Sequence, residues 1–281
     1  MIELIKIIVL AVVQGIAEFL PISSSGHLAV IHSVFDFLFH LDLDATALDS
    51  ITVDVILHLG TLLAIVVYYF KTLLNILLRL QYKLVFLLII ATIPAGISGL
   101  LLDEYCEGLM SNLWLIGCLF LLTAFLLIAS QKYAQKRQNN YSSDDINTND
   151  INTELQSITW VQALVIGLFQ AVAVLPGLSR SGSTIAGGLF SGVKQSAAAN
   201  FSFLLAIPVI GGAGLLKVVK LIKNPPENLP VMEISLGFLL SFIVGIIALY
   251  WVIGWIKQGK LSWFTWWLVG AAGFTFVLAA I

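Results

Sequence analysis

The amino-acid sequence predicts an all-α integral membrane fold: six transmembrane helices and two re-entrant helical hairpins, arranged as an inverted-topology repeat. Three observations carry that reading. Hydrophobic residues fill 59% of the 281 positions and charged ones only 11%. Several uninterrupted apolar runs are long enough to cross a ~30 Å hydrocarbon layer. Two further apolar stretches are each interrupted by a polar, small-residue motif. A soluble domain carries roughly 25% charged residues, so a water-soluble globule of this composition could not cover its surface. The mean hydropathy of +0.99 says the same. A soluble enzyme and a secreted domain are thereby excluded, and a net charge of −2 leaves no basic field for nucleic acid. Cys106 and Cys118, one near a short polar loop and one in an apolar run, do not read as a framework disulfide.

Taken in order, the first stretch, Ile2 to Phe39, is broken by PISSSG and reads as a hairpin. A cleaved signal peptide is the competing reading. Glu18 opposes it, lying where the apolar core should close, as does the lack of a small-residue cleavage site. Ser50 to Phe70 is a span whose Asp54 and His58 should face protein or water. Leu84 to Leu102 and Leu113 to Ala129 are spans free of Asp, Glu, Lys and Arg, with an acidic loop, Asp103 to Glu107, after the first. Gln131 to Ser157, rich in Asn, Asp, Ser and Gln, reads as a flexible linker outside the bilayer. Ile158 to Val193, broken by PGLSRSG, is the second hairpin, and Gln195 to Leu216, Ile234 to Ile256 and Leu261 to Ile281 complete the spans.

The chain therefore divides into a first repeat (1–130), a linker (131–157) and a second repeat (158–281). At an offset of 156 residues, Gln14, Ala17, Ser23, Ser25 and Gly26 meet Gln170, Ala173, Ser179, Ser181 and Gly182. Three spans is an odd number, so the second copy enters from the opposite face, as in inverted-repeat transporters. Backbone groups freed at the two breaks must be buried in protein or line a wet cavity, which brings the breaks together near the midplane. Nine Lys and Arg residues (Lys71, Arg79, Lys83, Lys132, Lys136, Arg137, Lys194, Lys257, Lys260) fall on one side and four (Lys6, Lys217, Lys220, Lys223) on the other. The richer side is cytoplasmic by the positive-inside rule, and the first hairpin opens outward.

The chemistry-bearing residues cluster at the breaks. Gln14 and Glu18 are four apart, on one face of a helix, where two oxygen-bearing side chains can hold a cation or clamp a substrate. A merely capping or snorkelling Glu18 is the alternative. Ser23, Ser24, Ser25 and Gly26 lead into the second arm, offering hydroxyls and backbone N–H groups to an anion, with His27 as a proton carrier. Arg180 lies in the broken centre of the second hairpin among Ser179, Ser181 and Thr184. A buried guanidinium requires an anion. Either Glu18 supplies it structurally or a phosphate does, and the fork of donors among hydroxyls suits phosphate. His32, His40 and His58 read as structural or interfacial, Asp36, Asp42, Asp44 and Asp49 as a solvated rim, and Trp251, Trp255, Trp263, Trp266 and Trp267 as an interfacial aromatic belt.

QGIAEFLPISSSGHL (Gln14 to Leu28) together with PGLSRSGSTIAGG (Pro176 to Gly188) resembles the undecaprenyl-diphosphatase family, the membrane enzymes linked to bacitracin resistance, over essentially the whole chain. That family's pattern of Glu or Gln, a Glu four later, and a Ser-rich turn ending in Gly-His maps onto Gln14, Glu18, Ser23 to Gly26 and His27, and its arginine onto Arg180. Gln rather than Glu at 14 leaves one fewer negative charge for a metal.

The resemblance implies a lipid partner, undecaprenyl diphosphate, hydrolysed to undecaprenyl phosphate and inorganic phosphate. It also implies a divalent cation, Mg²⁺ or Ca²⁺, and a bacterial inner-membrane location with the site facing the periplasm. The expected roles are metal binding by Gln14 and Glu18, attack by Ser24 or a water, and proton transfer by His27 and Glu18. Arg180, Ser23, Ser25, Gly26, Ser179, Ser181 and Thr184 are expected to hold the phosphates. A homodimer is compatible with this picture, though no motif specifies one. A second membrane phosphatase pattern, SRxxxxxHxxxD, is excluded because Ala186 and Phe190 stand at its His and Asp positions. A transporter or flippase of a phosphorylated polyprenyl lipid is the reading from a different class.

Overall fold

The computed structural model describes residues 2–39, 50–138, 151–223 and 230–281, all helix, turn or irregular chain with no strand among them. The helices are α1 (Ile2–Ala17), α2 (Ser24–Phe39), α3 (Ser50–Tyr68), α4 (Phe70–Leu78), α5 (Tyr82–Leu109), α6 (Leu113–Gln138), α7 (Ile151–Gln156), α8 (Trp160–Val172), α9 (Arg180–Phe190), α10 (Gln195–Lys223), α11 (Val231–Lys257) and α12 (Ser262–Ala280).

Five helices contain a stretch long and apolar enough to cross a bilayer: Tyr82–Leu102, Leu113–Arg137, Gln195–Lys220, Val231–Ile256 and Ser262–Ala280. The expected sixth span ends differently. Val53–Tyr68 is followed by Phe70–Leu78 at a 65° bend, so it counts as a sixth only if the bent pair is one span. Two consecutive pairs, α1–α2 and α8–α9, are built of helices of 16, 16, 13 and 11 residues. At 1.5 Å per residue none reaches ~30 Å. They break where the small-residue motifs stand, and α2 and α9 start inside them.

Two boundaries depart from expectation. Asp103 to Glu107 is not a loop: α5 runs on past Pro94 and through this segment to Leu109, with no Gly or Pro between Leu101 and Glu107 to end it. The polar segment 131–157 is helical at both described ends. α6 continues to Gln138, held where the Gln131 amide donates to the Gly259 carbonyl at 2.7 Å, and α7 buries Leu155 while Glu154 accepts from Ser196 at 2.8 Å. Helix formers such as Gln, Lys, Ala and Arg propagate a helix already nucleated by an apolar span. His40, Asp42, Asp44 and Asp49 lie outside the described residues. Asp36 pairs with Lys6 at 3.3 Å, and His32 with Asp54 at 3.4 Å. Both cysteines are free.

Large apolar side chains cover the outside of the bundle as well as filling its core, where Phe19, Phe120, Phe201 and Phe203 are fully buried, and an apolar exterior is expected where lipid rather than water surrounds the bundle. Phe86, Ile89, Ile93, Ile97 and Leu100 expose one face of α5, as Trp263 and Trp266 do on α12. Inside, every residue of α9 from Ser181 to Leu189 is buried, against α6, α8 and α10. The short α1 packs on α11 and the short α8 on α5, while α3 meets α10 and α6 meets α12.

The α5–α8 crossing depends on Gly167. A Cβ there would lie 2.5 Å from the Ala91 carbonyl oxygen and 2.8 Å from its Cα, and backbone cannot retreat cheaply. Gly167→Ala should therefore lower stability by about 1–3 kcal/mol, read as thermal unfolding in detergent. Gly96→Ala, with open space around it, should not. Equal melting for both variants would refute the close approach.

Candidate active site

The α1 helix ends at Ala17, and the Glu18 amide still donates to the Gln14 carbonyl at 3.0 Å, so the Gln14 and Glu18 side chains share a face. Both are buried. The Gln14 amide nitrogen donates to Glu18 Oε2 at 3.0 Å and lies 3.4 Å from Thr61 Oγ1 of α3. Ser24 Oγ donates to the same Oε2 at 2.7 Å, and His58 Nε2 stands 3.5 Å from it. The other oxygen, Oε1, accepts from an Arg180 guanidinium nitrogen at 2.5 Å. A second nitrogen of Arg180 donates to the Ser202 carbonyl of α10 at 3.3 Å, which fixes the direction of the head group.

Ser23 makes the first loop possible. Its φ of +70° is unusual for a residue with a Cβ, and such strain concentrates at functional sites where the surroundings over-determine it. The bend lets the Ser23 carbonyl accept from His27 Nδ1 at 2.7 Å and lets its hydroxyl accept from the Gly26 amide at 3.3 Å. In the second loop Ser179 Oγ accepts from the Gly182 amide at 3.0 Å, capping α9. Gly26 is where the loops touch: a Cβ would come within 2.6 Å of the Phe120 ring and 2.9 Å of Gly177 Cα.

The expected residues thus divide into two groups. Gln14, Glu18, Ser24 and Arg180 form one bonded cluster. Ser25, Ser179, Ser181 and Thr184 have their hydroxyls engaged in holding the loops together. Ser25 Oγ accepts from the Gly177 amide at 3.5 Å, Ser179 Oγ lies 3.3 Å from Ser181 Oγ, Ser181 donates to the Leu20 carbonyl at 3.1 Å, and Thr184 donates to the Arg180 carbonyl at 2.8 Å. His27 is bonded to neither Glu18 nor Arg180: its ring bridges Ser23 and Trp267 Nε1, the latter at 2.9 Å from Nε2. Sequence reasoning left out Thr61, Ser202 and Thr123, and read His58 as structural. Thr123 Oγ1 accepts from the Ser179 amide at 3.2 Å. Their one signal was a lone polar residue inside an apolar run.

Metal fit can be judged on Gln14 Oε1, which is buried without a hydrogen-bond partner beside Glu18. Among the described residues no group of three or more His, Cys, Asp or Glu could hold an ion. One carboxylate and one amide oxygen suit a hard cation that completes its shell with phosphate oxygens and water. They do not suit a soft transition metal.

A buried carboxylate bonded to a partly buried arginine and serine, gathered where two broken helix pairs meet inside an apolar bundle of long helices, defines a multi-pass membrane protein with a charged polar cluster at its helix breaks. The chain belongs to the bacitracin resistance protein BacA family, whose model matches residues 7–274. It is similar to undecaprenyl-diphosphatase of Rhodopirellula baltica, with 37% identity over 270 residues, 96% of this chain and 95% of the relative. The undecaprenyl-diphosphatase of Halothermothrix orenii is 35% identical over 272 residues, covering 95% and 96%. That of Thermodesulfovibrio yellowstonii is 35% identical over 262 residues, covering 93% and 92%.

Removing one member of a buried ion pair strands the other charge, at a cost of about 3–5 kcal/mol. Arg180→Ala should destabilise the chain by that order, and adding Glu18→Gln should recover most of the loss. Independent, additive effects in detergent unfolding would show that the two side chains do not pair.

Proposed function

We infer that this chain hydrolyses undecaprenyl diphosphate to undecaprenyl phosphate and inorganic phosphate, renewing the lipid carrier of peptidoglycan synthesis and thereby giving resistance to bacitracin. The observation that carries the reading is the continuous chain from Ser24 Oγ through the Glu18 carboxylate to the Arg180 guanidinium. A hydroxyl on a carboxylate is an activated nucleophile beside its base. An arginine on that carboxylate is a planar donor ready to exchange onto phosphate.

In this reading the diphosphate draws Arg180 off Glu18, and the freed carboxylate accepts the Ser24 proton. Ser24 Oγ attacks the terminal phosphorus, the bond to the bridging oxygen breaks, and undecaprenyl phosphate leaves. Water then cleaves the phosphoserine, with His27 moving the proton, and phosphate departs. Glu18 and Gln14 Oε1 would hold Mg²⁺ or Ca²⁺, which supplies neutralisation of phosphate charge. Ser23, Ser25, Gly26, Ser179, Ser181 and Thr184 shape the loops that present backbone N–H groups to the phosphates.

The same reading takes α1–α2 and α8–α9 as re-entrant hairpins of an inverted repeat, in a first repeat (1–130) and a second (158–281). Support comes from two sides. The α1–α11 and α8–α5 contacts exchange equivalent elements of the two halves. Ser23 with Gly26 and Ser179 with Gly182 make the same cap 156 residues apart. The Lys and Arg imbalance then faces the first loop toward the periplasm from the bacterial inner membrane.

Purified chain in detergent should release phosphate from undecaprenyl diphosphate, less so after chelation. Ser24→Ala and Glu18→Gln should each lower the rate by about 10²–10⁴-fold, the span of acid–base and nucleophile losses. Release without a second compartment separates a hydrolase from a carrier. A fully active Ser24→Ala transfers the attack to water, and an active Glu18→Gln removes the base.

A further inference from the structure

Trp267 belongs, by sequence, to a belt of tryptophans, and the residue is 58% exposed on α12, next to Trp266 and one turn on from Trp263, both also exposed. Its N–H nevertheless points inward, donating to His27 Nε2 at 2.9 Å. The Ser23 carbonyl, at 2.7 Å from Nδ1, can only accept, and the indole nitrogen can only donate. The two contacts therefore fix His27 as the neutral tautomer with the proton on Nδ1 and the Nε2 lone pair covered. The rings lie nearly parallel, 16° apart with centroids at 6.1 Å, and Phe120 of α6 closes the other side at 5.0 Å. A histidine clamped in this way has no nitrogen free to exchange a proton with a substrate.

We propose that Trp267 is a lipid-sensing positioning residue, a latch that covers His27 Nε2 until an apolar polyprenyl chain, entering along the exposed face of α12, displaces the indole and frees the nitrogen for the reaction. The chain class follows from the face itself: α12 carries aromatic and aliphatic side chains and no charged residue of its own, and the Lys260 ammonium stands over the Trp263 ring at its start. The proposal rests on His27 acting as proton carrier in the reading above, and it adds a reason for the enzyme to prefer lipid-linked diphosphates to soluble ones: only a substrate with a tail opens the latch.

The test is the rate at which diethyl pyrocarbonate modifies His27, read by peptide mass spectrometry, which requires no turnover. Without lipid, Trp267→Phe should react about fivefold faster than the native chain, the weight of one neutral hydrogen bond. Undecaprenol, which has the chain and no phosphate, should raise the native rate toward that of the variant and leave the variant unchanged. Equal rates in the two proteins, or a native rate indifferent to undecaprenol, overturns the latch. The undecaprenol arm uses the native chain, so it stands even if the variant folds poorly. Hydrolysis by the native chain is scored separately, so loss of the latch and loss of the hydrolase reading are distinguishable.

Discussion

Placing a carboxylate and a guanidinium inside an apolar bundle costs several kcal/mol per ion, and the shape of both loops follows from meeting that cost. Glu18 does so with four partners: Gln14, Ser24, His58 and Arg180. Arg180 adds the Ser202 carbonyl. Because Glu18 directly follows α1 and Arg180 begins α9, their contact also ties the two halves of the chain across 162 positions of sequence. In the proposed reaction a diphosphate replaces the carboxylate as the partner of the arginine, so that the same bond would serve as structural clasp and binding site.

The broken helices are what allow this. A continuous span presents side chains on a cylinder and leaves no free backbone donors in mid-membrane. Stopping α1 at Ala17 and restarting at Ser24, then stopping α8 at Val172 and restarting at Arg180, exposes two short loops to one another. The surrounding hydroxyls then satisfy the loops. The long helices α5, α6, α10 and α11 pack against the four short ones, and α12 packs against α6.

Much of this was legible in the residues. The four-residue spacing of Gln14 and Glu18 implied a shared face, and their side chains bond at 3.0 Å. The lone Arg180 in an apolar segment required an anion, and Glu18 is that anion. Other features were hidden because they are set by packing between distant elements. His58 reaches Glu18 only through the placement of α3 beside α1, and Trp267 meets a histidine 240 positions away. Nothing in local spacing separates that tryptophan from its neighbours at the interface. The helical continuation of α6 into the polar segment was hidden for another reason: the composition reads as linker, while the adjoining span had already nucleated the helix, and the separate short α7 is set by the packing of Leu155 and the Glu154–Ser196 bond.

The claim on which the account turns is that the substrate diphosphate takes over Arg180 from Glu18. An experimental structure with a non-hydrolysable polyprenyl methylenediphosphonate bound tests it directly. The guanidinium should be turned onto the phosphonate oxygens, with Ser24 Oγ facing the terminal phosphorus and Glu18 released. A diphosphonate seated elsewhere while Arg180 remains on Glu18 would contradict it.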